Sequence, residues 1–424
     1  MMFAGLLAGL MAACAGSRDL QLGRWHAWLQ SPGGPLPFGL ELERSGAGLQ
    51  ARVLNGEEDA TVDHAALQGR ELHLVFDHFA SEITARLSDG GDSLSGEWVR
   101  RSGPQVETRL PFEARLGEAP RFAPASASPE EESRAAGTGG GVDGRWLVTF
   151  ASDDDPSVGI FATGEDGAVT GTFLTTAGDY RYLAGNFEGD RLRLSAFDGS
   201  HAFLFDARLR DDGTLAGDFW SRDVWHDTWT ARLDPEAELP DGFDLTEYSG
   251  KVPLEKVVFP GVDGVRKSLA DAGPSARARL IEIFGSWCPN CNDAAAFMSE
   301  LETRYAPRGL AIVGLAFEMT GDFEKDARQV RIYSDRYHVT YPILIAGTAK
   351  KEEASKIFPA LDRVRAFPTF IFLDGDGDVK AVYSGFSGPA TGGAFDRLKR
   401  SFEAKIEELL GPEPAGPSSA ETGL

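Results

Sequence analysis

Two textures of apolar and polar positions divide the chain. Up to about residue 234 the pattern alternates with period two, as in Leu40-Glu41-Leu42-Glu43 and Ala202-Phe203-Leu204-Phe205-Asp206-Ala207-Arg208-Leu209. Alternation puts every second side chain on one face of a strand. Turn pairs such as Asn55-Gly56, Asp89-Gly90 and Asp212-Gly213 separate the runs, which predicts antiparallel hairpins. From about residue 254 continuous apolar runs alternate with helical spacing. An extended lead-in at 254–259 precedes buried strands predicted at 279–284 and 310–317, then strands at 342–346, 370–373 and 380–383. Helices are predicted at about 289–305, 322–338 and 350–358. In the first of them Phe297, Met298, Leu301 and Tyr305 share a face, and Pro307 with Gly309 ends it. A last amphipathic helix carries Phe395, Leu398, Phe402, Ile406 and Leu409. Strands alternating with helices, closed by a hairpin and a helix, predict a three-layer α/β domain.

The alternating part contains an internal duplication. Gly23-Arg24-Trp25 recurs as Gly144-Arg145-Trp146, Gly69-Arg70-Glu71-Leu72-His73-Leu74 as Gly189-Asp190-Arg191-Leu192-Arg193-Leu194, and Leu94-Ser95-Gly96-Glu97-Trp98 as Leu215-Ala216-Gly217-Asp218-Phe219. The offsets are 121, 120 and 121 residues, and a constant offset is the signature of a repeat. Each copy reads as an antiparallel barrel or sandwich of about six to eight strands. The expected fold class is therefore multidomain, with two antiparallel β-barrel or sandwich repeats followed by an α/β domain. The boundaries are 20–116 and 144–234 for the repeats and 250–410 for the α/β domain. Seven of the eight tryptophans (25, 28, 98, 146, 220, 225 and 229) fall in the repeats. They either line a lipocalin-like ligand cavity or fill a packed barrel interior, as in most small barrels.

Residues 117–143 are rich in Ala, Pro, Ser, Glu and Gly and end Gly137-Thr138-Gly139-Gly140-Gly141, the composition of a flexible linker. The tail, 411–424, has the same character and is expected to be disordered. The chain has 424 residues and a formal charge of −23, so it carries no basic footprint for nucleic acid. The seven histidines show no zinc-ligand spacing, and neither a metal nor another cofactor is expected. Asp374-Gly375-Asp376-Gly377-Asp378 mimics the first half of a calcium loop but lacks the glutamate that completes one; a turn between two strands is the alternative.

Three cysteines remain to be placed. The first thirteen residues are apolar and small, too short to span a bilayer, and end Leu10-Met11-Ala12-Ala13-Cys14. This resembles a bacterial lipobox, so residues 1–14 are expected to be a lipoprotein-type signal with Cys14 as the lipidated residue. It departs from the pattern in lacking a preceding Lys or Arg and in having Met11 where Leu is commoner. The alternative is an apolar N-terminus of a cytosolic protein. The other two thiols form Trp287-Cys288-Pro289-Asn290-Cys291, directly after the apolar run Leu280-Ile281-Glu282-Ile283-Phe284. A Cys-x-x-Cys at a strand-to-helix turn is a redox dithiol, because the helix dipole and free amides stabilise a thiolate there. Pro289 suits the first helical turn, having no N–H to leave unpaired.

With Phe367-Pro368-Thr369 lying 80 residues after the dithiol, residues 250–410 resemble the thioredoxin superfamily, and most closely its extracytoplasmic TlpA/ResA-type disulfide reductases. The resemblance does not extend to the repeats. It implies that Cys288 attacks a substrate disulfide, Cys291 resolves the mixed disulfide, and Trp287 covers one side of the pair. It also implies that Pro368 is a cis-proline facing the dithiol, with Phe367 and Thr369 beside it at the substrate. Glu282, six residues before Cys288, resembles a buried acid that shuttles protons for the resolving cysteine. The alternatives for Glu282 are an ion pair with Arg277 or Arg279, or exposure at an edge. In the ResA branch a glutamate commonly follows the second cysteine by three positions; here that position is Ala294, preceded by Asp293.

The expected function is that of a thiol–disulfide oxidoreductase of the cell envelope, anchored by lipid. Its expected partners are a disulfide-bearing substrate protein and a membrane electron donor. A different class, a redox-sensing or ligand-binding lipoprotein whose repeats carry the binding, stays open. A thiol peroxidase is disfavoured, because Cys288 lacks the Pro-x-x-x-Thr-x-x-Cys context of such sites.

Overall fold

The computed structural model describes residues 19–46, 48–101, 103, 106–123 and 141–412. The expected signal with Cys14, residues 124–140 of the expected linker and the tail from 413 lie outside the described residues. Among the described residues no helix is long and apolar enough to cross a membrane.

The first repeat closes on itself. Its opening strand, Gly23–Ser31, pairs antiparallel with Gly34–Ser45, where Trp25 opposes Leu40, and with the last strand, Glu107–Leu116, where Ala27 opposes Ala114. The second strand also pairs with Gly48–Asn55, and the short strand Glu58–Thr61 hangs outside the ring of a nine-stranded sheet, so eight strands make the barrel. A closed ring leaves no strand edge open to other chains. The second repeat, from Gly144 to Leu233, has the same strand order, with Gly178–Asp179 as its outlying strand. The duplication reaches single hydrogen bonds: the Trp25 indole donates to the Gln21 carbonyl at 3.1 Å and the Trp146 indole to the Val142 carbonyl at 2.9 Å.

Both interiors are filled by side chains. In the second barrel Phe205 stacks on Phe219 with centroids 4.4 Å apart, beside buried Phe173 and Trp229. In the first, Trp25, Phe38, Phe76, Trp98 and Phe112 are joined by a residue of the second barrel, Phe197, whose ring lies 4.6 Å from Phe38 and 5.3 Å from Trp98. Ala202 and Leu204 of the second barrel belong to the same core.

The linker expectation needs correcting at its start. Pro, Ala and Ser predicted a free tether, yet Arg121 and Phe122 are held between the barrels. Arg121 donates to the Leu54 carbonyl (3.1 Å), Asn55 Oδ1 (2.8 Å) and the Ser195 carbonyl (3.0 Å). Phe122 is buried under the Arg193 guanidinium, 4.9 Å from its ring centre.

The C-terminal domain is built on a five-stranded sheet. We number its strands β1 (Ala278–Phe284), β2 (Leu310–Glu318), β3 (Ile343–Thr348), β4 (Thr369–Asp374) and β5 (Val379–Ser384), in the spatial order β3-β2-β1-β4-β5. The first three run parallel and β4 and β5 antiparallel to their neighbours. Helices α1 (Pro289–Tyr305), α2 (Phe323–Tyr337), α3 (Lys351–Ile357) and α4 (Gly393–Leu410) pack on it. Phe402 of α4 joins Phe297 of α1, with centroids 5.9 Å apart, to Phe370 and Phe372 of β4. The Asp374–Asp378 segment is the turn between β4 and β5: Asp374 Oδ1 accepts from the backbone of Asp376 and Asp378, both at 3.0 Å.

Candidate redox site

Every residue of β1 is buried, so the strand reads as a continuous apolar run interrupted only by its arginine and glutamate. It ends at Phe284, and Gly285-Ser286-Trp287 turns the chain into α1. Cys288 is the N-cap, with Pro289 in the first turn. The Cys291 amide points at Cys288 Sγ at 3.4 Å, so a helix-terminal donor is aimed at the sulfur. Both thiols are free; Cys288 is 6% exposed and Cys291 fully buried. Burial pushes the Cys291 thiol well above its ordinary range.

The Phe367–Pro368 peptide is cis and faces the dithiol, the Phe367 carbonyl lying 3.4 Å from Cys288 Sγ. Trp287 closes one side. Its indole donates to the Phe317 carbonyl at 2.8 Å and its ring meets Phe367 edge-on, with centroids 5.7 Å apart. Thr369 is fully buried and its hydroxyl donates to the Ala366 carbonyl at 2.8 Å, so it braces the proline loop from beneath.

Glu282 is fully buried in the middle of β1, opposite Gly314 of β2 and Phe370 of β4. The Tyr341 hydroxyl donates to its Oε2 at 2.9 Å, and Oε1 has no hydrogen-bond partner among the described residues. Neither expected cation pairs with it: Arg279 donates to the Gly375 and Gly273 carbonyls at 2.8 and 2.7 Å, and Arg277 to the Leu410 carbonyl. Burial pushes the carboxyl up to about 8. It belongs to one cluster with Cys291 and Tyr333, whose hydroxyl donates to the Cys291 carbonyl at 3.3 Å. A second buried acid went unread in the sequence. Glu318 ends β2, accepts from the Ser286 amide (2.9 Å) and hydroxyl (2.6 Å), and is raised by burial to about 7. The lone charge closing an otherwise apolar strand was its signal.

No family model matches the chain. Two curated relatives do. The thioredoxin-like protein YneN of Bacillus subtilis is 31% identical over 124 residues, covering 29% of this chain and 65% of the relative. The thiol-disulfide oxidoreductase ResA of Geobacillus kaustophilus is 24% identical over 106 residues, covering 25% of this chain and 53% of the relative. The chain thus spans less than two thirds of the length of either. Over the stretch they match, the C-terminal domain is similar to these thioredoxin-like and ResA proteins. Among solved structures, a putative thiol:disulfide interchange protein DsbE from Chlorobium tepidum is similar, with a TM-score of 0.30 at 19% identity over 39% of this chain and 99% of that one.

The thioredoxin-like domain does not present its site alone, because the outlying strands of both barrels converge on it. Asn290 of the motif donates to the Asp179 carbonyl at 3.2 Å, and Asp179 Oδ2 accepts from the Gly388 amide at 2.6 Å in the loop after β5. Asp293 is ion-paired with Arg181 of the second barrel. The same guanidinium donates to the Pro289 carbonyl at 3.3 Å and to Glu58 of the first barrel at 2.6 Å. Burial raises the Asp293 carboxyl to about 7, against the opposing pull of Arg181. Arg181 had no signal in the sequence, since its partners lie far away along the chain. On the Trp287 side, a cavity of about 480 Å³ separates the first barrel from the thioredoxin-like domain.

Proposed function

We propose that the protein is a thiol–disulfide oxidoreductase that reduces disulfides of substrate proteins. The observation that carries this reading is the placement of Cys288 Sγ between the Cys291 amide and the Phe367 carbonyl, each at 3.4 Å. One side of the sulfur has a donor that stabilises a thiolate, and the other has a backbone acceptor where an extended peptide can pair. The activity in the name of the relative ResA supports it, and so does the thioredoxin-like YneN, over the part of the chain they match.

The reaction runs in two exchanges. The Cys288 thiolate attacks one sulfur of the substrate disulfide. That bond breaks, a mixed disulfide forms, and the departing sulfur takes a proton from solvent. Glu282 in its ionised form then accepts the proton of Cys291, whose sulfur attacks Cys288 Sγ and expels the second substrate sulfur, which takes its proton from solvent. The substrate gains two electrons and two protons, and the protein is left with a Cys288–Cys291 disulfide. An external dithiol donor returns the electrons. Tyr341 holds Glu282 in place, and burial keeps its carboxylate basic enough for the task.

An envelope location fits the same reading, with Cys14 as the anchor and the electron donor in the membrane. Incorporation of labelled fatty acid into the intact protein, lost in Cys14→Ser, tests the anchor. For the chemistry, the full chain is assayed for insulin reduction with a dithiol reductant. Cys288→Ser is expected to abolish turnover and Cys291→Ala to accumulate a mixed disulfide. Full turnover by Cys288→Ser would refute the proposal.

A further inference from the structure

Arg181 is an unusual residue in its own right. It sits in the left-handed region at φ 57°, a conformation that costs a side-chain-bearing residue energy and persists where surroundings impose it. Its amide is held by Asp179 Oδ1 at 2.7 Å. Its side chain is only 14% exposed, yet it meets three carboxylates: Glu58 at 2.6 Å, Asp198 at 3.3 Å, and Asp293. Only Asp293 lies in the thioredoxin-like domain, and it lies on the redox helix, two residues after Cys291. The remaining donor contact is to the Pro289 carbonyl, inside the Cys-x-x-Cys turn itself.

A buried carboxylate close to the start of α1 adds negative charge where the helix terminus supplies positive potential to Cys288. Asp179 and Glu58 add to the negative field at Asp293, while Tyr182 and Tyr337 face the same group. Arg181 is the guanidinium that joins this cluster to the redox helix, with the His201 ring on Asp198 at 3.2 Å. Without it the Pro289 carbonyl would lose a donor and Asp293 its guanidinium partner. The contact is also firmly built. Asn55, itself held by Arg121, donates to Glu58 Oε2 at 2.8 Å, so the guanidinium is braced from the linker and the first barrel.

We propose that Arg181 is a positioning residue of the redox site, supplied by the second barrel. By holding Asp293 and the Pro289 carbonyl, it keeps the turn and its field favourable to the Cys288 thiolate. The barrels are then part of the oxidoreductase rather than separate modules beside it. The inference rests on the reading of Cys288 as the attacking thiol, but its test needs no substrate.

In the reduced full chain, the alkylation rate of Cys288 by iodoacetamide at neutral pH is followed by peptide mass, and the dithiol potential by equilibration with glutathione. Arg181→Gln is expected to slow alkylation roughly threefold or more, and Arg181→Lys, which keeps the charge, to restore much of the rate. Asp293→Asn removes the opposing charge and is expected to speed it. A tenfold change in the dithiol–disulfide equilibrium would read as about 30 mV, towards the reducing side for Arg181→Gln. Equal rates and potentials in Arg181→Gln and Arg181→Lys, or a change of the same sign in Asp293→Asn and Arg181→Gln, would overturn the proposal. Should Arg181→Gln fail to fold, Arg181→Lys and Asp293→Asn carry the test, and an unaltered rate in Asp293→Asn overturns it. If the unmodified chain fails to reduce insulin, the functional reading falls; these measurements stand apart from that outcome.

Discussion

Glu282 Oε2 accepts a hydrogen bond from the Tyr341 hydroxyl at 2.9 Å, in the centre of a sheet where no cation among the described residues pairs with it. A buried acid with one neutral donor favours its protonated form, so the ionised fraction able to take a proton is small at neutral pH and grows as the pH rises toward about 8. That is the condition of a group waiting to exchange a proton with Cys291.

Glu282→Gln keeps the shape and the Tyr341 contact but cannot accept the proton. Release of product from a preformed Cys288 mixed disulfide is expected to slow by about 100-fold, measured by stopped flow. The rise of that rate with pH through about 8 should vanish in the variant. Stability gives the complementary sign. The folded carboxyl titrates near 8, above its unfolded value of 4.5, so its contribution is whole below 4.5 and is lost as pH rises through 8. Denaturant midpoints of the wild type should therefore fall more steeply between pH 5 and 8 than those of Glu282→Gln, by up to about 4 kcal/mol. Parallel curves would refute the buried-acid assignment.

Phe197 is the ring that the second barrel lends to the first. Phe197→Ala should cost about 3–5 kcal/mol, as expected for a large aromatic lost from a packed core. The decisive observation is where the damage falls: hydrogen exchange should increase at Trp98 and Phe38, in the other repeat. Damage confined to the strand that carries residue 197 would contradict the shared core.

Gly96 and Gly217 occupy equivalent places in the two repeats, and both lie hard against a neighbouring strand. A Cβ on Gly96 would fall on the Thr84 carbonyl, and one on Gly217 on the Asp206 carbonyl. Gly96→Ala and Gly217→Ala should each destabilise by about 1–3 kcal/mol in denaturant melts, with backbone displacement as the cause. A neutral outcome at both would mean that the strands can part without cost.

Much of this was legible beforehand, for definite reasons. Local period and breaker residues are written in adjacent positions, so α1 emerges from 289–305 as read, with Phe297, Met298, Leu301 and Tyr305 buried. The duplication was legible because two copies drift little in offset when their strand orders agree. What stayed hidden is non-local. Nothing near Tyr180-Arg181-Tyr182 announces a carboxylate of another domain, and Arg121 stands in a stretch whose composition speaks for a loose tether. Phe197 reads as one more strand aromatic until the barrel it enters is known. Hydrogen bonding also narrowed a choice that residue types left open, since Arg277 and Arg279 both donate to backbone carbonyls and Glu282 is met by the Tyr341 hydroxyl.

Synthesis on the ribosome is directional, and the order of the chain sets a condition on it. The first barrel's last strand ends at Leu116, whereas the ring that completes its interior is residue 197, so 81 further residues must emerge before that interior is filled. Until then the first barrel lacks the Phe197 ring from its core, so its final packing depends on the second repeat.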